Sequence, residues 1–386
     1  MQIADRISRL GVEGAFAVLQ QARALEAQGR HIVHLEIGEP DFPTPKHIVD
    51  AGVKALQDGW THYGPTMGLP DLREAIAKRL VTTHGLDLSP GRIGVMPGAK
   101  PALFFAMMAV IEKGDEVVYP DPGFPIYASM IRFLEGVPKP IPLVESRGFS
   151  FDLDQLKDSI TDKTRMLILN SPHNPTGGII PADDIRAIAD MVRGRNITVV
   201  SDEIYATIWF SEPPLSIASL EGMDEQTVIV DGFSKSHAMT GWRLGYGIYP
   251  EWMVDAVSKL MVNSNSCTAS FTQMAGVAAI EGPQADADAM VTEFKRRRDH
   301  FCTILNTVKG FTCEVPPGAF YAFPNVRATG YDAKVLAERL LNEAGVACLS
   351  GTAFGQHGAG YLRFSLANSL ENLTLAGQRI HTLLSL

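Results

Sequence analysis

An α/β fold is what this sequence predicts: a mostly parallel sheet flanked by helices, joined to a smaller α+β unit. Three observations predict it. Short apolar, β-branched runs alternate with stretches of helical period through the middle of the chain. Roughly the last hundred residues break that alternation and mix helical segments with strand-like pieces. At 386 residues the chain is too long for one hydrophobic core and suits two or three domains.

The strands are read at Glu116–Tyr119, Arg165–Asn170, Ile197–Ser201, Thr227–Asp231 and Leu244–Tyr249. Each is an apolar run too short for a helix. Between the second and third, Ile185, Ile188, Met191 and Val192 recur at helical spacing behind Pro181 and the acidic pair Asp183 and Asp184, which mark a helix start. Strand, helix and strand in succession imply parallel pairing, because a parallel partner is reached only through a long crossover. Ahead of this region lie a helix at Phe16–Ala27 and a strand at Val33–Ile37. Behind it, helical segments at Val335–Leu341 and Leu373–Leu384 flank strand-like pieces at Ala319–Phe323 and Tyr361–Leu366.

A net charge of −9 argues against a nucleic-acid backbone or an anionic membrane as main partner. Any phosphate or carboxylate ligand must then be held by a local cluster of donors. The amino terminus, MQIADRISRLGVEGAF, lacks the pattern of a secretory signal, and the longest apolar run, Pro101–Ile111, falls well short of a membrane span. Cys267, Cys302, Cys313 and Cys348 are widely spaced, with no metal-binding pattern, and are read as buried free thiols of a cytoplasmic protein. Lys295–Arg298 is read as the wet face of a helix. No dinucleotide or Walker glycine pattern is present.

The chemistry concentrates in VDGFSKSHAMTGWRLGYG, residues 230–247. Lys235 stands in a Gly-flanked turn after an apolar run, next to Ser234 and a short distance before Arg243. A lysine so placed can form an imine with an aldehyde, while a guanidinium fork and a hydroxyl hold a phosphate. A second phosphate feature is Pro97-Gly98-Ala99-Lys100-Pro101, where a glycine turn at a helix start presents free backbone N–H groups and the positive dipole end. Asp202 ends the run before Tyr205, at the strand end where open α/β sheets bind ligands. Asn174 lies in a stiff loop with two X-Pro bonds, either of which could be cis.

Together GEPDF, YGPTMG, PGAK, DPGFP, NPTG, SDEIY, SKSHAMTGWRLGY and RFS, in this order over residues 30–370, resemble the class I/II aminotransferases, the fold type I enzymes that use pyridoxal 5′-phosphate (PLP). The resemblance implies a Schiff base between Lys235 and PLP, and transfer of an amino group from an L-amino acid to a 2-oxo acid by a ping-pong route. It implies cofactor contacts from the backbone of Ala99 and Lys100, from Phe124 stacked on the ring, from Asn174 and Tyr205 at the phenolic oxygen, from Asp202 at the ring nitrogen, and from Ser234 and Arg243 at the phosphate. Tyr63 would reach the phosphate of a neighbouring subunit in a homodimer. Gly38, Asn174 and Arg363 would hold the substrate carboxylate. It further implies a large PLP-binding domain at 46–286 and a small domain built from both chain ends, 1–45 and 287–386. A PLP-dependent lyase or synthase of the same fold would share the cofactor contacts, as would a non-catalytic PLP-binding regulator. The donor's side chain stays open: Lys100, Arg132, Arg297 and Arg327 are all available cations for an acidic donor, and spacing singles out none.

Overall fold

The computed structural model describes residues 3–385. Its centre is an eight-stranded sheet formed by β1 (Ile93–Met96), β2 (Glu116–Asp121), β3 (Val137–Val144), β4 (Ser150–Phe151), β5 (Thr164–Asn170), β6 (Thr198–Asp202), β7 (Thr227–Gly232) and β8 (Gly245–Ile248). The spatial order is β1-β8-β7-β6-β5-β2-β3-β4. The run from β7 to β3 is parallel. β8 runs antiparallel to both its neighbours and β4 antiparallel to β3, so the sheet is mostly but not wholly parallel, as expected.

The central strands read as unbroken apolar runs because both faces are covered. Met166, Ile168 and Val200 pack beneath the helices Lys100–Val110 and Glu251–Ser264. Their alternating neighbours Leu167, Leu169 and Val199 pack on the other face against Ile185, Ile188 and Val192 of the helix Ala182–Val192. Register then brings the strand ends level, with Asn170 opposite Asp202 and Asp202 opposite Val230. The strand ends therefore deliver Asp202, Asn170 and the turn after β7 to one rim of the sheet.

A separate cluster joins Val33 and Leu35 to Phe301, Phe320, Leu336, Phe364 and Leu373. Val33–His34 pairs in parallel with Val346–Ala347, so the two ends of the chain share a ladder. Leu362–Ser365 runs between Tyr321–Ala322 and Leu349–Ser350 in a three-stranded antiparallel sheet. The predicted strand at Val33–Ile37 shrinks to Val33–His34.

Three readings need correction. The spacing from Asp202 to Lys235 leaves room in the sequence for a helix and a strand, but the structure puts there the strand β7 and, of helices, only the 3-10 turn Ile217–Ser219. Cys302, Cys313 and Cys348 are buried free thiols, but Cys267 is only partly buried. The run Lys295–Arg298 is wet only in its first half: Arg297 and Arg298 are buried. Helical spacing puts them on the face of Phe294 and Phe301, where Arg297 lies 4.8 Å over the Phe42 ring and pairs with Asp41 at 2.7 Å. Arg298 lies 4.5 Å over Phe210. Charge patterning misses this, because a paired guanidinium can be buried flat on an aromatic ring. Among the described residues no helix is long and apolar enough to cross a membrane, and no His, Cys, Asp and Glu cluster could hold a metal.

Candidate functional site

A cavity of about 480 Å³ opens between the strand-end rim of the central sheet and the chain-end unit. It brings together every predicted site residue except Tyr63: Gly38, Ala99, Lys100, Phe124, Asn174, Asp202, Tyr205, Ser234, Lys235, Arg243 and Arg363 all line it. Tyr63, on the loop before the helix Pro70–His84, is 92% exposed and lies outside the lining of this chain.

Lys235 follows β7, and its Nζ donates to the Gly38 carbonyl at 2.5 Å. Burial is the main force that pushes its ammonium down to about 8, against the Glu39 carboxylate that raises it. The cations Arg363, Arg243 and Lys100 add to the downward shift. Desolvation thus contributes more than the surrounding cations. The result is an amine with a substantial neutral fraction near neutral pH, as a nucleophile or base needs.

Asp202 is buried at the end of β6 and accepts from the Tyr127 hydroxyl at 2.6 Å. Burial raises its carboxyl to about 6, with Tyr127 and the Ile204 N–H pulling the other way. A carboxylate held in this surrounding pairs favourably with any cation brought beside it. The Tyr205 hydroxyl meets the Tyr321 hydroxyl at 2.7 Å. Phe124 lies edge-on to Tyr127, with ring centroids 5.8 Å apart.

The glycine turn before the helix Lys100–Val110 is built around Arg243. Gly98 has φ +93°, and a Cβ there would lie 2.2 Å from Arg243 Nη2. Gly245 must also be bare, since its Cβ would come within 2.5 Å of the Ala99 nitrogen. Arg243 itself takes the left-handed region at φ 54°, an uncommon conformation for a non-glycine residue. Its Nη1 donates to the Thr240 carbonyl at 2.7 Å. Backbone N–H groups of a helix start, a serine hydroxyl and this guanidinium therefore meet at one end of the cavity. That donor set and its side-chain-free cradle suit a phosphate.

At the other end Arg363, in the middle strand of the small sheet, is buried. Its Nη1 donates to Asn174 Oδ1 at 3.3 Å, and its Nη2 donates to the Glu36 carbonyl. The guanidinium lies 4.6 Å over the Tyr321 ring and 4.9 Å over Phe354, and its Nε has no hydrogen-bond partner among the described residues. Gly38 is locked as glycine because a Cβ would meet the Tyr321 hydroxyl at 2.1 Å. Both X-Pro bonds in the Asn174 loop, Ser171–Pro172 and Asn174–Pro175, are cis, as is Asp121–Pro122.

Sequence reasoning missed Tyr127 and Tyr321, which bond to Asp202 and Tyr205, and the amino-terminal residues Glu13 and Phe16 on the cavity wall. Tyr127 reads as one more apolar position of the helix Ile126–Phe133, and nothing local marks its hydroxyl. His237, beside Lys235, is buried between Ser236 and Gln284, and burial pushes its imidazole down to about 4.

Comparison with known proteins agrees with this geometry. The family model for aminotransferase class I and II matches residues 30–380. The chain is 38% identical to an aspartate aminotransferase of Geobacillus stearothermophilus, over 99% of this chain and 98% of that one. It is 35% identical to aromatic-amino-acid aminotransferase 2 of Thermococcus litoralis, over 100% and 98%. Its fold superposes on the aspartate aminotransferase of Thermus thermophilus solved with maleate at a TM-score of 0.95 and 34% identity, covering 99% of each chain.

Proposed function

The chain belongs to the class I and II aminotransferases, a PLP-dependent family, and we propose how its own residues divide the work of transamination. The observation that carries the proposal is the half-buried Lys235 amine, pushed down to about 8, in a cavity walled by Arg243 and Arg363. At the Arg243 end, the backbone at Ala99 and Lys100, the Ser234 hydroxyl and the Arg243 guanidinium hold the cofactor phosphate. Phe124 would lie against the ring, and Asp202, oriented by Tyr127, would balance a protonated ring nitrogen. Asn174 and Tyr205 would donate to the phenolic oxygen. Bound there, PLP supplies an aldehyde that takes up the amino group and a ring that draws electrons from the α-carbon.

At the Arg363 end, the guanidinium fork, Asn174 and the Gly38 N–H hold the α-carboxylate of an L-amino acid. That would fix which α-bond faces Lys235, whose neutral amine would take the α-proton and return it to the carbon of the cofactor's aldehyde group. Hydrolysis by one water would release a 2-oxo acid and leave the amino group on the cofactor, and a second 2-oxo acid would take that group up in the reverse direction, completing a ping-pong cycle. The proposal further divides the chain into a large domain at 46–286 and a small domain at 1–45 and 287–386, supported by the shared ladder of the two ends. It sets two such chains together as a cytoplasmic homodimer, with the exposed Tyr63 reaching the partner's phosphate end.

Titrating single L-amino acids into holoenzyme without an acceptor tests the function. Loss of the holoenzyme's visible cofactor absorbance with release of an equal amount of 2-oxo acid supports transamination; pyruvate and ammonia formed continuously from one amino acid would replace it with a lyase.

Two outcomes follow from the geometry. Covalent attachment of PLP to the cofactor-free protein requires a neutral Lys235 amine. Its rate is expected to fall about tenfold per pH unit below about pH 8 and to level off above, rather than climbing to the ordinary lysine range. Stopped-flow mixing across pH 6–10 reads this directly. Gly98→Ala places a Cβ on Arg243 at a positive φ. It is expected to weaken PLP retention about tenfold or more, measured by dialysis, with little change in donor KM for the loaded enzyme.

A further inference from the structure

Of the four cations available to read an acidic side chain, only Lys100 lines the cavity. Arg297 is tied to Asp41 and Glu293, and Arg327 lies over Tyr361 and donates to the Ala359 carbonyl. Lys100 is not free either, because its ammonium is paired with Glu13. Glu13 precedes the helix Gly14–Glu26 at the position where a side chain would ordinarily cap it, yet it makes no capping bond to that helix. Its carboxylate instead reaches across the cavity wall to a residue 87 positions away.

The segment that carries Glu13 is held in place on both sides. The Gly11 N–H donates to Ser129 Oγ at 2.8 Å. A Cβ at Gly14 would already touch Ala353 at 3.5 Å. Phe16, Leu103, Leu349 and Phe354 give the same cavity an apolar wall. Glu13 also acts electrostatically on Arg363 and Tyr321, which places its charge on the substrate side.

We infer that Glu13 is a specificity-determining residue: it neutralises Lys100 and turns the cavity toward donors with uncharged side chains, bulky and aromatic ones included, against aspartate and glutamate. This rests on the transaminase reading above. An acidic donor would bring a second carboxylate to an ammonium that already has one, and would have to displace Glu13 or sit beside it as a like charge. An uncharged donor leaves the pair intact and buries its side chain on the apolar wall.

The experiment compares kcat/KM for L-phenylalanine and L-aspartate in half-reactions of holoenzyme, for the wild type, Glu13→Gln, and Glu13→Gln combined with Lys100→Met. The wild type is expected to favour phenylalanine. Glu13→Gln, which keeps the shape and removes the charge, is expected to shift the ratio about tenfold toward aspartate. Adding Lys100→Met should take that gain away. A ratio that moves less than about twofold in Glu13→Gln overturns the inference, as does a wild type that favours aspartate. In either case measurable conversion of one donor leaves the transaminase reading standing. A holoenzyme that converts no L-amino acid overturns both.

Discussion

Replacing Lys235 with alanine is expected to lower amino-group transfer by at least about 10⁴-fold while leaving the cofactor pocket able to fill. The other cations at the cavity, Lys100, Arg243 and Arg363, cannot stand in for it. Lys100 is paired with Glu13, and the two arginines are held by carbonyls at opposite ends. The phosphate end, meanwhile, is built from the Gly98 turn, Ser234 and Arg243, none of which leans on the lysine side chain; the Lys235 amine itself bonds to Gly38. The variant should therefore retain PLP through dialysis and fail in single-turnover half-reactions with every donor. Turnover within tenfold of the wild type would remove Lys235 from the mechanism.

Arg363→Lys is expected to lower kcat/KM for amino-acid donors by about 100-fold, chiefly through KM. The arginine is buried, flat against Tyr321 and Phe354, with its two terminal nitrogens aimed at Asn174 and the Glu36 carbonyl. A lysine there keeps the charge but loses the planar fork and the ring contacts, so it cannot fix the orientation of a carboxylate. The decisive control is a donor without an α-carboxylate. The poor rate with phenethylamine should be almost unchanged by the substitution, whereas phenylalanine should suffer the full loss. An equal loss with both compounds would mean that Arg363 supports the fold of the site rather than the substrate.

Much of this was legible in the sequence, and for identifiable reasons. The central strands announce themselves because Met166, Ile168 and their alternating neighbours Leu167 and Leu169 are all buried, leaving no polar break in the run. The residues proposed for the phosphate end are legible because two glycines beside them are forced, Gly98 by Arg243 and Gly245 by Ala99. What the sequence could not show depends on distant pairings. Tyr127 finds Asp202 from 75 residues away and Tyr205 finds Tyr321 across 116. Neither tyrosine differs locally from a packed aromatic. Glu13 reads as a surface acid before a helix until the fold brings Lys100 to it. Arg297 and Arg298 read as solvated until Phe42 and Phe210 are seen beneath them.

The two ends of the cavity also belong to different moments in the life of the chain. Residues at the phosphate end run from Gly98 to Arg243, whereas the fork that would grip the substrate is delivered by the strand Leu362–Ser365 and completed by Glu36 from near the other terminus. Domains fold broadly in the order in which they leave the ribosome. A growing chain thus carries Lys235 and the phosphate-end residues well before Arg363, the fork that would grip an amino acid, has been made. PLP bound at that stage would meet Lys235 without the Arg363 clamp.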